Sequence, residues 1–208
     1  MTKYITLAIR ETNPNNFAVL ALDVKQDEIR SFALKHAEII DKSGRVFWDI
    51  GKETEVEEVS HDVCRNGNVE WHAAGRVKLG KDKTRELKQI FEKKSVRCPS
   101  FFNNNDEKFA VAKVIELVDI SVEPGGEKSY MRVKIDGDKQ ERTLLNKDYR
   151  WVEYWKWICS KSNEELLDAK RSKYMKLFND PSKTLYLILY RRKFPNKYWY
   201  WIAGMHWL

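Results

Sequence analysis

The chain has 208 residues, 42% of them hydrophobic and 12% aromatic, enough to bury one large core or two small ones. Charged residues make up 33%, and no apolar run approaches the roughly 20 residues that span a bilayer, so a helical membrane protein is excluded as a reading. The net charge is +7, and the three cysteines, Cys64, Cys98 and Cys159, are odd in number and widely spaced. That spacing predicts a reducing, cytoplasmic setting rather than a disulfide framework, and Met1 to Asn13 is too short and polar for a secretory signal.

In chain order, Lys3–Arg10 (KYITLAIR) predicts a strand, 11–16 (ETNPNN) a turn, and Phe17–Val24 a second strand antiparallel to the first. Glu28–Ala33 alternates and predicts a third. Breaks at Gly44 and Gly51 flank a short β-like run, Arg45–Ile50. Glu53–Glu58 predicts a strand with one acidic face, and Asn66–Asn68 a hairpin turn leading into the strand Val69–Ala74. Thr84–Lys94 is the first helix: Leu87, Ile90 and Phe91 recur at i, i+3, i+4, and Asp82 is placed to cap it.

The loop at 98–106 (CPSFFNNND) marks the expected domain boundary. Phe109–Glu123 is a long strand, closed by Pro124, Gly125 and Gly126. Tyr130–Ile135 and Gln140–Leu145 form a hairpin across Asp136–Asp138. Asp148–Ile158 is aromatic and open between strand and helix. Asn163–Phe178 is helical, capped by Asn163 and stopped at Asn179–Pro181. No repeat of solenoid period is present. Roughly ten short strands with hairpin turns and two helices predict a mainly β, α+β chain. Its expected form is two small barrels in tandem, 1–97 with a helix and 98–208 with a helical insertion at 163–178.

The last stretch, Leu185–Leu208, holds two aromatic-rich runs around a basic segment and predicts a hairpin with a cationic tip. Strict alternation sets Trp199, Trp201, Ala203, Met205 and Trp207 on one face, and Tyr198, Tyr200, Ile202 and His206 on the other. From Lys147 onward there are 13 Lys+Arg against 6 Asp+Glu and six of the eight tryptophans, whereas residues 1–146 balance at 25 of each sign. Coincident cations and flat rings point to a polynucleotide, whose phosphates take the charge and whose bases take the rings.

The beginning and end of the chain together resemble the bacterial dual-OB proteins, which carry two oligonucleotide/oligosaccharide-binding barrels in one chain. YITLAIRETNPNNFAVLALD is similar to that family's opening strands, and Ile29–Arg30 stand where it has an Ile-Arg pair between Trp and Pro-Val. Ile202, Ala203, Gly204 and Met205 match its closing aliphatic-Ala-Gly-aliphatic run. The family's Trp and Pro around Ile29–Arg30 are absent, as is its Ser-Leu-Gly before the last turn, where Leu189, Tyr190 and Arg191 stand. The resemblance implies OB-like barrels and a nucleic-acid-binding or regulatory module of bacterial defence or mobile elements. It implies no established catalytic centre.

Other motifs carry less. Gly75–Lys81 fits G-x4-G-K, but Asp82 stands where a phosphate loop needs a hydroxyl. His61, Cys64, His72 and Cys98 lack the close pairs that anchor a zinc site. Asp106, Glu107, Glu116, Asp119, Asp136, Asp138, Asp148 and Glu153 form no clear nuclease set. The expected function is therefore binding of single-stranded DNA or RNA without cofactor or metal. Arg191, Arg192, Lys193, Lys197, Lys170 and Lys173 would take phosphates. Tyr198, Tyr200 and Trp155 would take bases, with Arg150 and, from the resemblance, Arg30 in support. The alternatives are a regulatory domain that docks a protein partner through its aromatic strand, and a metal-dependent nuclease.

Overall fold

The computed structural model describes residues 1–64, 69–96, 98–103, 107–161, 163–194 and 197–208. The expected turn at Asn66–Asn68, the loop at 104–106 with Asp106, and the tip at Pro195–Asn196 lie outside them. The chain divides into two compact units, Met1–Leu87 and Lys88–Leu208.

The first unit is a closed five-stranded barrel. Its strands are β1 (Thr2–Asn13), β2 (Asn16–Asp23), β3 (Glu28–Lys35), β4 (Lys52–Val63) and β5 (Val69–Asp82), in the order β1-β2-β3-β5-β4. A short helix, α1 (His36–Ile39), follows β3. The turn between β1 and β2 is two residues long. Asn13 pairs with Asn16, Pro14 supplies the fixed φ, and Asn15 takes φ 65°, a conformation Asn tolerates. Tyr4, Val19, Phe32, Trp48 and Val56 fill the core. Arg45–Ile50 forms no strand; it contributes one isolated bridge, Ile40 to Val46, and buries Trp48.

Helix α2 (Thr84–Ser95) crosses the division between the units, and α3 (Cys98–Phe101) follows it. The second unit repeats the first barrel's topology with β6 (Phe109–Val122), β7 (Ser129–Ile135), β8 (Glu141–Asn146), β9 (Leu185–Phe194) and β10 (Lys197–Trp207). Ordered β6-β7-β8-β10-β9, it too closes on itself, and in both barrels the third and fifth strands make the parallel contact. Two OB-like barrels therefore stand in tandem, and closure leaves neither with a free strand edge. Helices α4 (Tyr149–Cys159) and α5 (Glu164–Phe178) fill the connection between β8 and β9.

The ambiguous segment Asp148–Ile158 is thus helical. Asp148 Oδ1 accepts the Arg150 backbone N–H at 3.0 Å and caps α4, and Trp151, Trp155 and Ile158 are buried at helical spacing. Asn163 caps α5 in the same way, accepting from Leu166 N–H at 3.0 Å. Gly126, at φ +75°, lets the β6–β7 turn touch α4: a Cβ there would stand 2.4 Å from the Trp155 carbonyl. Among the described residues no helix is long and apolar enough to cross a membrane.

Candidate functional site

The geometry of the last hairpin is set by one extra residue. β9 and β10 pair from Leu185–Trp207 to Phe194–Lys197, and residues directly opposite share a face. Leu185, Leu187 and Leu189 face the barrel core, as do their partners Trp207, Met205 and Ile202. The register shifts between Ile202 and Gly204, so Ala203 is a β-bulge. Beyond it the parity of β10 inverts. Trp199 and Trp201 lie on the outward face opposite Arg192 and Tyr190, and Tyr200 lies inward opposite Arg191. The single face expected for Trp199 through Trp207 is therefore divided: its first two members point out, and Met205 and Trp207 pack on the core.

On the outward face a row of rings crosses three strands. Phe109 of β6 lies 5.6 Å from Tyr190 of β9, which lies 6.0 Å from Trp201 of β10. Cations stand over this row. Lys108 Nζ is 5.5 Å from the Phe109 centroid and 5.8 Å from that of Tyr190, and Arg192 Cζ is 5.6 Å from Trp201. Lys197 Nζ is 4.6 Å from the ring of Trp199, which is 42% exposed. Arg192, Lys193 and Lys197 are exposed. Toward the base of the hairpin the same face is closed, because Phe91 of α2 packs on His206 at 4.8 Å and on Tyr186 at 5.5 Å. The open ground among the described residues lies at Arg192, Lys197 and Trp199.

Several expected contact residues have other uses. Arg191 is 7% exposed; its Nη1 donates to the Phe101 carbonyl at 3.4 Å and its guanidinium lies over Phe101 and Tyr198. It orders the inside of the hairpin and is withdrawn as a phosphate contact. Tyr200 donates its hydroxyl to the Phe102 carbonyl at 3.3 Å and packs on Phe101 and Phe102, so its ring is committed inward. Tyr198, half-buried under Arg191, belongs to the same inner face. Trp155 has no exposed surface and is sealed among Trp151, Tyr154 and Tyr174, so it offers no face to a base.

The remaining cations do not join the tip through their strands. Arg150 sits at the opposite, basal end of the hairpin, bonded to Asp148 and to the Met205 carbonyl. Lys170 and Lys173 ride on α5, whose Arg171 donates to the Ile120 carbonyl at 2.6 Å, at the far end of β6 from Phe109. In the first barrel Arg30 pairs with buried Asp23 at 2.9 Å, donates to the Tyr4 hydroxyl at 3.0 Å and lies 3.9 Å from the Trp71 ring. That guanidinium braces the barrel wall.

Sequence reasoning did not bring Lys108 and Phe109 together with Tyr190, Trp199 and Trp201 on one face. The available signal was Gly204, since a glycine inside a strand pattern marks a bulge. Elsewhere, Gly75–Lys81 lies within strand β5 and forms no phosphate loop. Asp82 accepts the Thr84 N–H at 2.8 Å, at the start of α2. Among the described residues no three His, Cys, Asp or Glu gather as metal ligands. His72 meets Asp62 at 3.3 Å, and His61 packs on Trp71. Glu116, Asp119, Asp136, Asp138, Asp148 and Glu153 each pair with a cation. Burial pushes the Cys98 thiol up to about 12, far from a reactive thiolate. No family model matches the chain, and no curated protein matches it.

Proposed function

We propose that the chain is a single-strand nucleic-acid-binding module whose contact surface is the outward face of β9 and β10 around Arg192, Lys197 and Trp199. The observation that supports this reading is half-exposed Trp199 beside partly exposed Trp201 and Phe109, which buried Tyr190 links, with Lys108, Arg192 and Lys197 interleaved. Flat rings accept bases of any sequence, at roughly 1–3 kcal/mol per stacked base, and flanking cations track the phosphates. The β7–β8 face of the same barrel is a weaker candidate, since Arg132 is matched by Glu141 and Lys134 by Glu116. A cytoplasmic setting fits the three cysteines, none of which forms a disulfide. A bacterial defence or mobile-element context rests on the family resemblance alone.

The deciding experiment is fluorescence anisotropy with labelled single-stranded DNA and RNA oligonucleotides at several salt concentrations. Three phosphate contacts predict a slope of log affinity on log salt of about −2. Absence of binding at low salt overturns the reading. Salt-insensitive capture of one protein partner by the same face would instead favour protein docking, since Trp and Arg also dominate protein interfaces.

A further inference from the structure

The closed ring of the first barrel uses only part of β4. Its ladder with β1 covers Glu53–Val56, whereas its ladder with β5 runs on to Val63 opposite Val69. From Glu58 to Val63, β4 therefore has β5 on one side, and among the described residues no strand pairs with its other side. Every second residue there turns its N–H and C=O away from β5. Of these residues only Val59 is half-buried; the rest are exposed. Such an edge is a template for another strand.

The two faces of this arm differ. Residues directly opposite share a face, so Val59 with Ala73, His61 with Trp71 and Val63 with Val69 make one side. Its inner end packs on the first core through Val59, Trp71 and Ala73. Its outer end is open: Val63 is 68% and Val69 37% exposed, and the His61 ring lies 4.9 Å from Trp71. Glu58, Ser60 and Asp62 stand on the other side with Glu70 and His72.

Symmetry and charge select the partner and the register. A twofold axis normal to the sheet maps each face onto itself, so it sets Val59, His61 and Val63 only against one another. Centring on Ser60 would oppose Glu58 to Asp62 of a second copy, and centring on Glu58 or Asp62 would oppose two copies of one carboxylate. Like charges directly opposite are destabilising. Centring on Val59 or Val63 shortens the ladder, because Val56 already pairs with Thr2 and β4 ends at Val63. Centring on His61 avoids all of these. Val59 then meets Val63, the Ser60 hydroxyl can donate to Asp62, and the two His61 rings meet in a row with the two Trp71 rings.

We propose that the chain forms a twofold dimer by antiparallel pairing of β4 with β4 of a second copy, over Glu58–Val63 and centred on His61. The pairing does not rest on oligonucleotide binding at β9 and β10. One short ladder is a small interface, of the weak class below about 1,200 Å².

Sedimentation velocity of the full chain, freed of nucleic acid, should show a reversible shift from monomer to dimer between about 10 and about 500 µM, as suits an interface of that class. Val63→Lys, at an exposed position, should weaken association about tenfold or more without lowering the melting temperature, since lysine on an edge strand blocks pairing. Arg192→Ala with Lys197→Ala should leave association unchanged. Cysteine cross-linking in a Cys64→Ser, Cys159→Ser background reads the register. Opposite Cα atoms of an antiparallel pair lie about 4.5–5.5 Å apart, within reach of a disulfide. His61→Cys should therefore give a covalent dimer on mild oxidation, and Ser60→Cys should not. The proposal is overturned by a monomer throughout that concentration range, by a dimer that Val63→Lys leaves intact, or by cross-linking through Ser60→Cys rather than His61→Cys.

Discussion

Arg192 and Trp201 meet on the outside of the second barrel, guanidinium carbon 5.6 Å from ring centroid, while Arg191, one residue earlier, is buried against Phe101. Two adjacent arginines of one strand therefore serve different ends.

This separation predicts distinct phenotypes. Arg192→Ala and Lys197→Ala together should weaken oligonucleotide binding and flatten its salt slope by about 0.7 per contact removed, without lowering the melting temperature. Arg191→Ala should leave the salt slope unchanged and cost about 1–3 kcal/mol of stability, since it removes a buried hydrogen bond and two ring contacts. Anisotropy and urea melts of both variants check this.

The bulge makes a similar distinction among the rings. Trp199→Ala and Trp201→Ala should each lose roughly 1–3 kcal/mol of binding to single strands, about 5- to 150-fold. Tyr200→Ala should act mainly on folding, because its ring fills the space beside Phe101 and Phe102. A variant of Trp199 or Trp201 that binds normally would move the contact surface elsewhere.

Gly125 and Gly126 provide a paired test of the packing under α4. Both have positive φ, +83° and +75°, but a Cβ at Gly125 meets nothing within 4 Å, while one at Gly126 meets the Trp155 carbonyl at 2.4 Å. Gly125→Ala should cost about 1–2 kcal/mol, the penalty of the left-handed conformation. Gly126→Ala should cost at least about 3 kcal/mol more, because backbone must move. Chemical denaturation of the two proteins measures the difference.

Cys98 is 1% exposed, and burial pushes its thiol up to about 12, with Asp138 and Glu107 adding to the shift. It should stay unmodified by a thiol reagent at about pH 8 while the protein is folded, and react on unfolding. Cys64 and Cys159, both partly exposed, should react first. Mass spectrometry of the labelled peptides gives the order.

Asp138 links stability to acid. Burial pushes its carboxyl up, but hydrogen bonds from Arg142 and from the Gln140 N–H outweigh this and hold it below its ordinary 3.8. A carboxyl depressed on folding stabilises the native state above its unfolded value, and that contribution is lost as pH falls through the folded one. Stability should therefore decline below about pH 4, and Asp138→Asn should be less stable at neutral pH with a shallower acid limb. Urea midpoints from about pH 6 to about pH 2 test it.

The sequence carried the strands and their hairpins because local alternation and turn residues such as Pro14–Asn15 set them. Barrel closure was a matter of inference, since the parallel contact of β8 with β10 joins Leu145 to Trp201 across a long separation. The segment at 148–158 was ambiguous because its tryptophans satisfy both periods. Asp148 as a cap decides for the helix, sealing Trp155 while leaving Trp157 56% exposed. Composition located the cations and rings but not their orientation. Arg191 and Arg192 are the same residue type, and only the register of β9 against β10 separates them.

Ala203 works as a phase shifter in the strand that carries it. On both sides of it alternate side chains answer to the interior, Met205 and Trp207 on one side and Ile202 and Tyr200 on the other, although Ile202 and Met205 stand an odd number of positions apart. Deleting that one amino acid would bring the pairs Gly204–Ile188 and Ile202–Leu189 into direct succession, so Trp199, Tyr200 and Trp201 should keep their partners and faces while β10 loses its local bend.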